Sequence, residues 1–221
     1  MKLSKQTLDI LKNFAAINSN FLFKAGQKQG TLAVSKSLMA EVTLEETFPV
    51  DAGIFNMNEF LGVISLFSTP EFDFQQEYVV VSEGKNKIKY MYADSSLLLF
   101  PTNSVNMATP SNVTLDLPND VLIKMQKAAS ALSVSDVSIV GDGKIITATV
   151  FDVKNPTSNN FSIDLGDHNG KPFEVYYKLD RLSKLYPGNY TVDIVKNKSK
   201  FKHTSIDLAV YIAIEANSKF S

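Results

Sequence analysis

The chain has 221 residues, long for one domain and comfortable for two of about 110 each. Hydrophobic residues make up 44% and charged residues 20%, so a core can be filled without staples, and the absence of cysteine excludes disulfides and thiolate metal sites. The net charge of −1 excludes a protein that clings to nucleic acid through bulk basicity; any DNA-binding charge must be confined to one surface.

The N-terminal segment is polar and periodic, with no apolar signal core, and no run of about 18 apolar residues follows, so a cytoplasmic chain that enters no membrane is expected. The first helical period covers 4–17. Leu8, Leu11, Phe14 and Ala15 share its inner face, Lys5, Asp9 and Lys12 its outer face, and Ser4 suits the N-cap. Short β-branched or aromatic runs at 21–25, 31–34 and 40–44 read as strands. A second helix is expected at about 56–67, with Phe60, Leu61, Ile64 and Phe67 inward and Glu59, Gly62 and Ser65 outward. Strands at 78–81, 87–92 and 96–100 close the first half.

Residues 101–112 lack a period and contain two prolines and three asparagines, which suits a linker. Domains are therefore expected at 1–104 and 113–221, joined by a connector at 105–112. A third helix at 118–132 buries Val121, Leu122, Met125, Ala129 and Leu132 and turns Lys124 and Lys127 outward. Strands follow at 137–140, 145–151, 161–165 and 173–177, then a helix at 178–186 with Arg181 and Lys184 outward, then strands at 190–195 and 208–214. Gly141-Asp142-Gly143 reads as a hairpin turn.

Each half thus gives helix, strands, helix, strands. The first helices start about 114 positions apart, and Lys85-Asn86-Lys87 recurs as Lys196-Asn197-Lys198 after 111. The shared offset, near half the chain, points to two copies of one fold.

Catalytic motifs are absent from the sequence. His168 and His203 have no carboxylate or nucleophile at a recognisable spacing, no phosphate loop or dinucleotide fingerprint occurs, and the carboxylates are scattered. No catalytic residue, metal site or cofactor is expected. On composition alone a strand-rich, cysteine-free chain with no catalytic motif suits a structural or assembly protein; a hydrolase would need unrecognised dispersed acids. The pattern with functional content is the basic outer face on three helices: Lys5 with Lys12, Lys124 with Lys127, Arg181 with Lys184.

Met1-Lys2-Leu3-Ser4-Lys5, Leu11-Lys12-Asn13-Phe14-Ala15 and Ile17-Asn18-Ser19 resemble the N-terminus of the sliding clamps of T-even-type bacteriophages. The segment 58–66 resembles their second helix, and Leu165-Gly166-Asp167-His168-Asn169-Gly170 and Pro187-Gly188-Asn189-Tyr190 resemble later landmarks, while 69–111 and 144–160 show little detailed similarity. The resemblance implies an α+β fold of two similar clamp-type domains, each with two helices packed on antiparallel sheet, assembling into a closed homotrimeric ring. It implies a DNA polymerase processivity factor with no activity of its own, in the cytoplasm of an infected bacterial host. The implied partners are duplex DNA, the C-terminal tail of the replicative polymerase, an ATP-driven clamp loader, and a late-transcription sigma-like factor with its co-activator. Lys5, Lys12, Lys124, Lys127, Arg181 and Lys184 would then face DNA. Ring closure needs sheet edges to pair across subunits, for which 96–100, with Leu98 and Phe100, and 159–165, with Phe161 and Ile163, are candidates. By analogy with clamps in general, Val34, Met39, Val105 and Met107 would form a pocket for partner tails.

Overall fold

A computed structural model describes residues 1–107 and 110–221. The chain divides into two units, Met1–Ser104 and Val105–Ser221. The expected connector 105–112 includes two residues outside the described set.

In the first unit, α1 (Lys5–Ile17) precedes β1 (Phe21–Phe23), β2 (Gly26–Leu32), β3 (Leu38–Phe48) and β4 (Ala52–Ile54). Then come α2 (Met57–Ile64), β5 (Glu71–Phe74), β6 (Tyr78–Glu83) and β7 (Asn86–Met91). β1 pairs with β4, β2 with β3, and β5, β6 and β7 form an antiparallel meander. Phenylalanines dominate the core: Phe23 stacks on Phe48 at 4.7 Å and meets Phe21 edge-on at 4.8 Å, and Phe14 and Phe60 bring in the two helices. Each such pair adds about 0.5–1.5 kcal/mol beyond the area it buries.

In the second unit, β8 (Val113–Leu117) leads to α3 (Asn119–Leu132), β9 (Asp136–Gly141), β10 (Ile145–Phe151), β11 (Phe161–Asp167) and β12 (Phe173–Lys178). The short α4 (Leu179–Leu182) precedes β13 (Tyr190–Val195), β14 (Lys198–His203), β15 (Leu208–Ala213) and β16 (Lys219–Phe220). One antiparallel sheet runs β11-β10-β9-β12-β16; another joins β8, β13, β14 and β15.

The two units repeat one topology. β9 pairs with β12 as β1 does with β4, β10 with β11 as β2 with β3, and β13-β14-β15 match β5-β6-β7. Even β8 has a counterpart: it pairs with β13, while Phe72 of β5 donates its N–H to the Met1 carbonyl at 2.7 Å.

Two expected elements differ. Residues 96–100 form no strand; a 3-10 turn at Ser95–Leu97 is followed by extended chain. The cause is side-chain capture of the backbone: Asn20 accepts from Leu99 N–H at 3.0 Å and Asn18 donates to Leu99 O at 3.1 Å, so Leu99 has nothing left for a ladder. The segment therefore offers no sheet edge, and Leu98 is buried within its own unit. The helix expected at 178–186 stops at Leu182. Pro187 disfavours helical backbone at Tyr186, whose carbonyl accepts from the Tyr190 hydroxyl at 2.6 Å instead.

Candidate nucleic-acid interface

α1 forms because Ser4 caps it, accepting from Thr7 N–H at 3.1 Å, and because Thr7, Ile10, Leu11, Phe14 and Ala15 give it one buried stripe. Lys5 and Lys12 therefore emerge on the solvent side. Seven residues separate them, a rise of about 10 Å along one face. Lys12 meets Asp9 at 3.2 Å, an exposed pair worth little, and Lys5 has no ion pair among the described residues.

α3 is held differently. Pro118 gives no side-chain cap, so Asn189 accepts from Asn119 N–H at 2.9 Å while Asn119 Oδ1 accepts from Gly188 N–H at 3.1 Å. Val121, Leu122, Met125 and Ala129 are buried, which leaves Lys124 and Lys127 exposed. Lys124 meets Asp120 at 2.9 Å, and this hydrogen bond holds the Asp120 carboxyl below its usual range. Lys127 has no ion pair among the described residues. α1 and α3, one in each unit, thus carry equivalent lysine faces, each tempered by one carboxylate.

The other expected sites are placed as follows. Arg181 does not project as a free cation: it donates to Glu215 at 2.7 Å and to the Ala213 carbonyl at 3.1 Å, half-buried. Lys184 is half-buried too. Phe161 and Ile163 lie on β11, the outermost strand of its sheet. Phe100 is half-buried with Lys24 Nζ 5.2 Å from its ring centre. Val34 is exposed, Met39 is buried in the first unit, and Val105 and Met107 are half-buried in the second.

Both histidines are engaged with backbone. His168 Nδ1 accepts from Gly143 N–H at 3.1 Å; His203 Nδ1 accepts from Ser205 N–H at 3.1 Å, and its Nε2 lies 3.2 Å from Pro187 O. Among the described residues no three His, Cys, Asp or Glu side chains converge as metal ligands, and no helix is long and apolar enough to cross a membrane.

Sequence reading missed the largest lysine groups. Lys87 and Lys89 alternate on β7, and Lys198, Lys200 and Lys202 on β14, with Lys85 and Lys196 in the preceding turns. That makes seven of the 22 Lys and Arg residues, against four on α1 and α3, so the helices hold no monopoly on positive charge. A lysine at every second position is the strand-period signal that could have found them.

A family model for DNA polymerase processivity factors matches residues 2–100. The sliding clamp of Vibrio phage KVP40 is 30% identical over 98% of this chain and 100% of its own length. The chain belongs to the sliding-clamp family. The sliding clamp of Enterobacteria phage T4 is likewise 30% identical, over 99% of this chain and 98% of that one. Among solved structures, proliferating cellular nuclear antigen from Entamoeba histolytica matches with a TM-score of 0.69 at 16% identity, covering 94% of each chain. The β-subunit sliding clamp of Bartonella birtlesii gives 0.72 at 13% identity, covering 97% of this chain and 64% of that one. These distant likenesses show the α+β clamp fold; the phage relatives show a DNA sliding clamp and processivity factor. In this clamp the duplication read from the sequence is the duplication of the clamp domain.

Proposed function

We propose that this clamp closes as a homotrimeric ring around duplex DNA, with α1 and α3 of every copy turned to the phosphates. The observation that carries this is the equivalence of the two helices: the same place in each repeat, a buried apolar stripe, and two exposed lysines opposite it. Contacts to phosphate ignore base identity, so the ring holds the duplex yet moves along it. The carboxylates Asp9 and Asp120, each beside one of the lysines, keep the attraction shallow, which suits sliding. Arg181, tied to Glu215, is left out of this face, and α2, with Glu59 exposed and no cation, adds none.

The ring tethers the C-terminal tail of the replicative polymerase. An ATP-driven loader opens and closes it, and the clamp turns over no substrate itself. In the host cytoplasm it also serves a late-transcription sigma-like factor and its co-activator. A comparable use of a tail is seen in the relative from A. fulgidus, a PCNA solved with the C-terminal region of FEN-1 bound. Val34, Met39, Val105 and Met107 remain the proposed tail-binding residues.

The test replaces Lys5, Lys12, Lys124 and Lys127 together by Glu. The variant is expected to fold and trimerise but to lose loader-dependent polymerase processivity. Full processivity from a folded trimer would show that DNA is met elsewhere.

A further inference from the structure

The β13–β14 hairpin carries a line of positive charge that the DNA-facing helices do not use. Lys196 sits in its turn, and Lys198, Lys200 and Lys202 follow at every second position of β14, alternating with the buried Ser199 and Phe201. The lysines of β14 therefore lie on one face of the sheet, about 6.6 Å apart, with Lys196 leading into the line. β14 bonds to β13 on one side and to β15 on the other, so its main chain is used up. Recognition on this face must go through side chains.

The sheet around the lysines leaves them unpaired. Asp193 stands directly opposite Lys200, yet it accepts from the Thr114 hydroxyl at 2.7 Å. Asp116, one strand further out, accepts from the Thr191 hydroxyl at 3.0 Å. None of Lys196, Lys198, Lys200 and Lys202 forms an ion pair among the described residues. On the other side β15 sets Ala213, Tyr211 and Ala209 opposite Lys198, Lys200 and Lys202. The alanines are short and Tyr211 is buried, so the lysines rise from a low floor. Like charges in line repel one another, a cost that an anionic partner removes.

We propose that this lysine face of β14 docks an extended acidic polypeptide segment with a carboxylate at every second residue. The side chains on one side of an extended chain repeat at the same spacing as the lysines of β14, so carboxylate meets ammonium one for one. The line is one strand wide and bordered by Asp193 and Asp116, a poor match to the broad charge of a duplex. Single-stranded nucleic acid wants exposed rings to stack its bases, and the aromatic residue on this part of the face, Tyr211, is buried, with Lys200 Nζ 5.8 Å from its ring centre. Lysines, as mobile point charges without a fixed fork, suit separate carboxylates. All four belong to one unit, so the docking does not depend on ring closure.

The test titrates the intact protein, at low salt, into a fluorescent octapeptide that alternates Glu and Thr, read by anisotropy. K198Q/K200Q/K202Q is expected to weaken binding at least about tenfold while unfolding in urea no earlier than the wild type. K5Q/K12Q/K124Q/K127Q should bind the peptide as the wild type does. A second octapeptide with its four Glu contiguous, equal in charge, should bind several-fold more weakly, because only half its carboxylates share a side. Equal affinity for the two peptides overturns the spacing match. Equal loss in the helix variant places the peptide on α1 and α3 instead. An oligothymidylate that binds more tightly than the alternating peptide, and loses its binding in K198Q/K200Q/K202Q, makes the face a nucleic-acid site and overturns the proposal. No binding of the alternating peptide leaves the lysines a solvated surface and overturns it as well.

Discussion

Glu46, on β3, accepts a hydrogen bond from the Thr7 hydroxyl in the first turn of α1 at 2.6 Å. The same carboxylate accepts from Ser4 N–H, so one side chain both caps and anchors the helix that carries Lys5 and Lys12. Burial pushes the Glu46 carboxyl up, but the bonds from Thr7 and Ser4 outweigh it and hold it below the usual carboxylate range. A lowered folded-state pKa adds stability above the unfolded value and loses it as pH falls through the folded one. Glu46→Gln should therefore cost about 1 kcal/mol at pH 7 and less as pH falls through the folded-state pKa, measured by urea unfolding at neutral and at acid pH. An equal cost at both pH values would assign the effect to packing.

The four helix lysines should act through salt-dependent attraction. Each lysine position changed removes three cations from the homotrimer's DNA face, so the log–log salt slope of DNA retention is expected to fall by up to about 2.7, about 0.9 per cation. Lys5→Gln and Lys127→Gln, which break no ion pair, give the cleanest reading; retention of the ring on linear duplex, whose open ends let it slide off, measures it across a salt series. An unchanged slope in both would remove α1 and α3 from the DNA face.

α1 and α3 were legible because their apolar stripes keep a helical period over three turns or more, and β10 and β13 because their runs are bounded by turn residues. The exposure of Lys5, Lys12, Lys124 and Lys127 follows from that same phase. β14 was missed because its lysines look like a polar turn until the alternating Ser199 and Phe201 are seen to be buried. The segment 96–100 reads as a strand on composition, yet Asn18 and Asn20 capture Leu99 from about 80 positions away. Glu215, the partner of Arg181, lies 34 positions on. Neither relationship leaves a local trace.

The N-terminus is a structural element. Its ammonium and carbonyl both bond Phe72, closing the outer side of β5. A tag fused before Met1 removes the ammonium donor and crowds the strand, at a cost of about 1–2 kcal/mol. An expected fall of a few degrees in Tm, absent when the same tag follows Ser221, tests this by thermal melting.

Gly188 should tolerate no side chain. Its φ is +151°, and an added Cβ would lie 1.9 Å from His203 Nε2, in a ring fixed by Pro187, Ser205 and Ile206. Overpacking with backbone strain costs about 3 kcal/mol, or about 6–12 °C in Tm. Gly188→Ala would also shift the amide that Asn119 accepts from, and with it the start of α3. If Gly188→Ala melts like the wild type, the turn has room to move and the anchoring of α3 through Asn119 is not rigid.

Arg181 separates structure from DNA contact within one residue. Its guanidinium bonds Glu215 and the Ala213 carbonyl, so Arg181→Gln leaves a half-buried carboxylate without its charge partner. Such a loss costs about 1–2 kcal/mol in a partly exposed setting. The salt slope of DNA retention should stay at the wild-type value, the reverse of Lys127→Gln, which should flatten the slope and leave stability within about 0.5 kcal/mol. Unfolding and retention measured on the two variants side by side decide the matter. A flatter slope in Arg181→Gln would return that cation to the DNA face and show that its bond to Glu215 opens when DNA is threaded.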